Sequence, residues 1–258
     1  MSKIISVHSF RGGTGKSNTV ASLAVLMAAE GRRVGVIDTD IQSPGIHVLF
    51  GLKPDDIKRS LNDYLWGNTT IEQAAIDVTE NIKAAAGTGP GIGKGQIFLI
   101  PSSMKAGEIA RVLREGLNVD LLRDGLRRLV QELRLDVLLI DTHPGLNEET
   151  LLSIALSNAL VVIMRPDQQD YQGTVVTVEV ARKLGVKRMM ILVNKSPRSL
   201  DPADVKAQVE QTFRADVAAV LPHADEMMDL GSATVFALRY PNHAITKMLK
   251  ELSETLMA

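Results

Sequence analysis

Ser9-Phe10-Arg11-Gly12-Gly13-Thr14-Gly15-Lys16-Ser17 follows the apolar, β-rich run Ile4-Ile5-Ser6-Val7 and opens a pattern in which Val20, Leu23, Ala24 and Met27 recur at helix spacing. The stretch therefore sits at a strand-to-helix turn. Glycine lets a backbone adopt φ > 0 and approach a ligand closely, so several amide N–H groups can point into one concavity, and the following helix N-terminus adds partial positive charge. Gly-Lys-Ser at a helix start, in this strand–loop–helix setting, is the fingerprint of a phosphate-binding loop. The backbone from Gly12, Gly13, Thr14 and Gly15 through Lys16, Ser17 and Asn18 is expected to cradle phosphate. Lys16 would reach the β- and γ-phosphates, and the Ser17 hydroxyl would take a place on Mg²⁺.

Working outward, Arg33-Val34-Gly35-Val36-Ile37 is a second β-rich run, entered after Gly31 at a helix C-cap position and ending in Asp38-Thr39-Asp40. Carboxylates at the C-terminal end of a strand beside a phosphate loop lie at the ligand-binding edge of an open α/β sheet. The continuous apolar run Leu135-Asp136-Val137-Leu138-Leu139-Ile140 reads as a buried parallel strand and delivers Asp141, followed by Thr142-His143-Pro144-Gly145. An apolar strand ending in Asp beside such a loop has the pattern that holds Mg²⁺. Strand-like runs at Leu160–Met164, Met189–Val193 and Val217–Val220 follow, separated by helical stretches. This alternation predicts an α/β fold: a mostly parallel, twisted sheet flanked by helices on both faces.

Composition narrows the function. A chain of 258 residues, 45% hydrophobic, can bury one large core and is read as a single domain over residues 1–258. A net charge of −1 argues against a globally basic nucleic-acid binder while leaving local patches open. Absence of cysteine excludes disulfides, thiolate zinc sites, iron–sulfur clusters and cysteine nucleophiles. No apolar run approaches the roughly 20 residues of a membrane span, and no signal sequence is evident, so a cytoplasmic location is expected.

The remaining segments are less distinctive. Leu61, Tyr64 and Leu65 have helix spacing, with Tyr64 and Trp66 read as packing residues and Thr70 and Gln73 placed as a capping box. Ala84 to Gly95 is a glycine-rich, low-complexity stretch read as an exposed flexible loop, and not a second phosphate loop, because it precedes a strand and lacks Gly-Lys-[Ser/Thr]. Ala106 to Leu133 is read as largely helical, with an apolar stripe of Leu122, Leu126, Leu129 and Leu133.

The phosphate loop departs from the general pattern at Phe10, where a glycine is usual. Arg-Gly-Gly-Thr-Gly-Lys-Ser instead resembles the deviant Walker A loop, Lys-Gly-Gly-x-Gly-Lys-[Ser/Thr], of the ParA/MinD family of dimerising ATPases. Arg11 stands where that family has its signature lysine. The resemblance implies ATP and Mg²⁺ as ligands, ATP hydrolysis, and an ATP-dependent sandwich homodimer in which Arg11 reaches the partner's phosphates; an Arg11 salt bridge within its own chain is the alternative. Asp-Thr-His-Pro-Gly resembles the family's switch II, and Asp38 to Asp40 its switch I. By this carry-over Asp40 positions or activates the attacking water, while Ser17, Asp38 and Asp141 hold Mg²⁺; the roles of Asp38 and Asp40 are interchangeable at this stage. His143 is an ordinary turn histidine in this reading. Asn194 and the backbone after Pro222, at two strand ends, are expected to bind adenine. The resemblance spans nearly the whole chain and is thinner from about Gly51 to Gly95.

Three functions fit the resemblance. A ParA-type positioning ATPase binds nucleoid DNA non-specifically as a dimer and is released when an adaptor protein stimulates hydrolysis; the absence of the signature lysine points within this group to the carboxysome-positioning McdA branch. A MinD-type ATPase binds membrane, and a related ligase uses the same loop for metabolite chemistry. The helix His243 to Met257 carries Ile245, Met248, Leu249 and Leu252 as a core stripe without a further basic amphipathic helix, so membrane binding is not expected. Arg182, Lys183, Lys187, Arg188, Arg198, Lys206, Arg214, Arg239, Lys247 and Lys250 outnumber the acidic residues of their span, and non-specific DNA binding needs only several phosphate contacts summed across a dimer.

Overall fold

The computed structural model describes residues 2–86, 91–116 and 118–258. Its centre is an eight-stranded sheet in the order β3-β4-β2-β5-β1-β6-β7-β8. The strands are β1 (Lys3–His8), β2 (Arg33–Asp38), β3 (Ile76–Asp77), β4 (Gln96–Ile100), β5 (Val137–Asp141), β6 (Ala159–Met164), β7 (Met189–Ser196) and β8 (Asp216–Pro222). Only the short pair β3 and β4 is antiparallel; every other neighbouring pair is parallel. The helices are α1 (Lys16–Ala29), α2 (Leu61–Leu65), α3 (Thr79–Ala86), α4 (Ala106–Glu115), α5 (Val119–Glu132), α6 (Glu148–Leu156), α7 (Gln168–Lys183), α8 (Pro202–Phe213), α9 (Asp225–Asp229), α10 (Phe236–Arg239) and α11 (Ala244–Met257).

The period-two geometry of a strand explains the two cores. Along β5, Val137 and Leu139 enter a cluster with α1, α10 and α11, while Leu138 and Ile140 enter the opposite cluster with α2 and α5. All five β5 residues are buried, because both faces of a parallel sheet are covered. Helix α1 is buried well beyond its predicted stripe: Ala21, Val25 and Ala28 join Val20, Leu23, Ala24 and Met27. It ends at Gly31, whose φ of +85° permits the expected cap.

Order along the first-written strand, β1, fixes where the site forms. In the parallel register Val7 and Asp38 both align with Asp141, so the phosphate loop and the two acidic strand ends emerge at one edge. Three sequence expectations change. Thr70 and Gln73 open a turn, with Gln73 N–H donating to the Thr70 carbonyl, and no helix follows; the next regular element is β3. The stretch read as helical from Ala106 to Leu133 is two helices, parted after Gly116, whose φ of +73° is costly for other residues. In the glycine-rich stretch, Gly87, Thr88, Gly89 and Pro90 lie outside the described residues, and Ile92 is not exposed but fully buried in the core.

Candidate active site

The loop between β1 and α1 holds two left-handed residues, Gly13 at φ +75° and Gly15 at φ +98°. A side chain at Gly15 is excluded twice over, by this φ and because its Cβ would lie 2.5 Å from Asn194 Nδ2. Lys16 is only 7% exposed, and its Nζ donates to Ser9 Oγ at 3.1 Å, which in turn donates to the Arg11 carbonyl at 2.6 Å. Burial lowers the Lys16 pKa, opposed by the negative charge of Asp141, Asp40 and Asp38.

Asp38 and Asp141 are cross-strand partners and are both almost fully buried. Burial, reinforced by Asp141 and Asp40, raises the Asp38 pKa well above the carboxylate range despite N–H donation from Asp40 and Gly45. Burial also pushes Asp141 up to about 6, offset in part by the Ser17 hydroxyl and Lys16. Asp141 Oδ1 and Thr14 Oγ1 are buried without a hydrogen-bond partner among the described residues. Burial and mutual repulsion oppose ionisation of these carboxyls, and a hard, oxygen-seeking divalent cation would offset both, so the donor set of Ser17, Asp38 and Asp141 fits Mg²⁺.

Asp40 lies on the next turn, half-buried, and accepts hydrogen bonds from Ser43 N–H at 3.1 Å and Ser43 Oγ at 3.0 Å. His143 Nδ1 stands 2.6 Å from Asp40 Oδ1, so the histidine set aside in the sequence is part of the site. His8, the last residue of β1, is buried with Nδ1 2.8 Å from Thr142 Oγ1, and burial, with Lys16 and His143, drives its pKa down to about 3.

A cavity of about 450 Å³ opens above the loop, within the range of small-molecule sites. Gly12, Gly13, Gly15, Lys16, Ser17, Asn18 and Asp40 line it together with Asn194 and Lys195, which touch the loop, and with Leu221, Pro222, Met227 and Leu249. Asn194 and Pro222 are therefore brought to the site, as expected. Asn194 is not at a strand end, however: β7 runs on to Ser196. Its amide is also engaged, Nδ2 donating to the Thr14 carbonyl and Oδ1 accepting from Lys195 N–H, each at 2.8 Å.

Arg11 turns away from the cavity. Its Nη1 lies 3.1 Å from Asp170 Oδ1 and 3.5 Å from Asp167 Oδ1, at the start of α7. Burial opposes ionisation of Asp170, but hydrogen bonds and charge from Arg165, with Arg11, outweigh it and hold the carboxyl below its ordinary pKa. Within one chain Arg11 thus takes the alternative foreseen for it.

With loop, acidic pair and cavity in place, comparison with known proteins is decisive on kinship. A family model described as an AAA domain matches residues 2–190. The chain belongs to the ParA/MinD family of P-loop ATPases. An ATP-binding protein of Methanocaldococcus jannaschii is 24% identical over 258 residues, covering 100% of this chain and 88% of that protein. The septum site-determining protein MinD of Pyrococcus horikoshii, solved with Mg-ADP, superposes with a TM-score of 0.78 at 18% identity, covering 99% of this ParA/MinD-type chain and 96% of the other. Apo McdA of Cyanthece superposes with a TM-score of 0.74 at 15% identity over 100% of both chains. At these identities the two structures speak for the fold. Among the described residues no helix is long and apolar enough to cross a membrane.

Proposed function

We propose that this chain binds ATP with Mg²⁺, hydrolyses it to ADP and phosphate, and uses the cycle to position or partition an intracellular cargo, such as a plasmid, a chromosome region or a protein organelle. The observation that carries the reading is the convergence of Lys16, Asp38, Asp40 and Asp141 on one edge of the sheet, against a cavity that continues to Asn194 and Pro222. When bound, Mg²⁺ supplies charge neutralisation at the phosphate oxygens. Ser17, Asp38 and Asp141 hold it. The amides of the loop and Asn18 orient the phosphates, Lys16 stabilises charge on the β- and γ-oxygens, and Asp40, held by Ser43 and His143, orients the attacking water.

The ATP-bound form is a homodimer, in which Arg11 leaves Asp170 and Asp167 for the partner's phosphates. Its half-exposed guanidinium is suited to exchange partners, because the buried Asp170 keeps Arg165 as a second cation and the other contact, Asp167, is a partly exposed side chain. The dimer binds nucleoid DNA without base preference, and an adaptor protein stimulates hydrolysis to release it. Arg182, Lys183, Lys187, Arg188 and Arg214 support this: they sit around the starts of β7 and β8, at the sheet end opposite the nucleotide, with Arg182 Nη2 donating to the Phe213 and Arg214 carbonyls at 2.6 and 2.9 Å. Phosphate contacts from such a cluster, doubled in a dimer, give affinity that falls steeply with salt.

The test is duplex binding by the apo, ADP and ATP states at two salt concentrations, with anionic liposomes as the competing surface. ATP-dependent, salt-sensitive, sequence-indifferent duplex binding, weakened by Lys183→Glu with Lys187→Glu, is expected. ATP-dependent liposome binding without duplex binding would replace the DNA reading by a membrane one.

A further inference from the structure

The chain has ten methionines and no cysteine, so reaction with a mild peroxide falls on thioethers. Met228 stands apart among them. At 71% exposed it is the most exposed large apolar side chain of the described residues, and of the side chains so exposed it is the one that lines the cavity over the phosphate loop. Its place follows from the build of α9. None of the five residues of that helix is buried, and it rests on the core through Met227 and Leu230, which share a face at helix spacing. Met228, about 100° round the helix from Met227, is left out of that contact and beside the cavity. After α9 the chain turns through two successive left-handed residues, Gly231 at φ +54° and Ser232 at φ +61°. Ser232 and Lys195, at φ +56°, are two of four non-glycine residues in this conformation among the described residues, and Lys195 lines the same cavity. Such positions persist where the surroundings over-determine them, often at functional sites.

The wall that Met228 shares is apolar: Leu221 and Pro222 of β8 and its end, Met227 of α9, and Ile245 and Leu249 of α11. A flat aromatic base entering there meets an unbranched thioether that adapts to its shape, and a polarisable sulfur beside a ring is favourable. Covering an apolar side chain that water surrounds in the free protein adds to the gain. The five wall residues bring no side-chain hydrogen-bond donor, so the same contact is intolerant of a polar atom on the sulfur.

We propose that Met228 is the flap over the nucleotide base and an oxidant-sensitive modification site: peroxide converts it to the sulfoxide in the free protein, bound nucleotide shields it, and the sulfoxide closes poorly on a base. In that step the sulfur gives an electron pair to one oxygen of hydrogen peroxide, the S–O bond forms as the O–O bond breaks, and the other oxygen leaves as water with both hydrogens. The thioether is oxidised by two electrons and the peroxide reduced by two. The oxygen gained is a strong acceptor that a covering base would strip of water without replacing its partner. Lys16 and the loop amides, which meet the phosphates, are untouched. The inference rests on the reading of the cavity as a nucleotide site.

Peptide mass spectrometry of the peroxide-treated protein reads the shielding, with Met104, exposed but outside the cavity, as internal reference. ADP at ten times its dissociation constant is expected to lower the ratio of Met228 to Met104 oxygen uptake by up to about tenfold, because only the free protein reacts. Calorimetric titration with ATP and inorganic tripolyphosphate reads the cost. Protein oxidised at Met228 should bind ATP roughly three- to tenfold more weakly and tripolyphosphate as before. Met228→Gln, polar without any oxidant, should show the same split, and Met228→Leu, which has no sulfur to oxidise, should lose the response to peroxide. A ratio that ADP leaves unchanged, in a protein that binds ADP, overturns the flap, as does Met228→Gln with the ATP affinity of the parent or with tripolyphosphate weakened as much as ATP. A peroxide response that survives in Met228→Leu overturns the modification site. A parent that binds neither ATP nor tripolyphosphate overturns the nucleotide reading and the flap with it.

Discussion

Asp40 Oδ1 and His143 Nδ1 stand 2.6 Å apart although 103 residues separate them in sequence. One belongs to the turn after β2, the other to the turn after β5, and the parallel pairing of Asp38 with Asp141 brings the two turns side by side. Ser43 holds the same Asp40 oxygen through both its N–H and its hydroxyl. The carboxylate is thus oriented from two chain segments before any ligand arrives, which is what a water-positioning group needs.

If Asp40 orients water, Asp40→Ala keeps ATP binding and lowers turnover by roughly 10²–10⁴, the range for a lost acid–base partner. His143→Ala, which leaves Asp40 charged but loosely aimed, lowers turnover by about ten- to a hundredfold. His143→Asn, retaining an N–H donor, recovers part of it. Single-turnover kinetics beside nucleotide titration checks all three. Should Asp38→Ala and not Asp40→Ala combine retained binding with lost turnover, the two aspartates exchange roles.

Lys16 is the buried cation of the loop, and its contact with Ser9 Oγ is what phosphate oxygens would replace. Lys16→Ala is expected to lower hydrolysis by at least about a hundredfold, since one preorganised charge-stabilising donor is commonly worth that much. Turnover at the parent rate would remove the loop from the chemistry.

Much of this was legible in the sequence because the signals were local. A phosphate loop needs glycines and Lys-Ser within nine residues, and buried parallel strands announce themselves as apolar runs, so the loop, Asp38, Asp141 and most strands fall where periodicity puts them. What local pattern could not convey was pairing at a distance. Arg11 meets Asp170 across 159 residues, and His143 meets Asp40 only because two strands lie parallel. The extent of β7 was misjudged because Lys195 adopts a conformation that its side chain disfavours, and it does so for a contact with Gly13, 182 residues earlier.

Mg²⁺ affinity follows from the acidic pair. Asp141 titrates at about 6, raised by burial, and only its ionised form holds the metal. In the presence of ADP, Mg²⁺ affinity should therefore rise with pH through about 6, by as much as roughly tenfold per unit for each carboxyl that must ionise, with Asp38, which burial and its acidic neighbours also raise, adding to the same upward slope. For the metal-free protein the sign reverses: a folded pKa above the unfolded 3.8 means that the native state binds the extra proton, so this carboxyl's contribution to stability is lost as pH climbs from about 4 through 6. His8 acts the other way, because its folded pKa of about 3 lies below 6.5 and its contribution is lost as pH falls between those values. Asp141→Asn isolates the first effect. Metal-free, it should melt above the parent at pH 7 and converge with it near pH 4, while losing Mg²⁺ binding at both.

Arg11 supplies a test of the dimer that does not depend on seeing one. Asp170 and Asp167 hold its guanidinium within the chain, whereas the proposed catalytic contact lies across the dimer interface. Arg11→Ala alone should bind ATP and turn it over poorly, with a loss of about 10³ if the residue acts as an arginine finger. Asp40→Ala should also be poor, for a different reason. If Arg11 acts in trans, an equimolar mixture contains heterodimers in which one site keeps its own Asp40 and receives Arg11 from the other subunit, so activity reappears on mixing and saturates near a quarter of the parent rate per chain when subunits exchange at random. A cis role predicts no recovery at any ratio, since each chain then lacks one essential group in its own site. Asp170→Asn sharpens the distinction: by loosening the intrachain hold it should raise the parent's ATP-dependent association in sedimentation, whereas a purely structural Arg11–Asp170 pair would lower thermal stability and leave association unchanged.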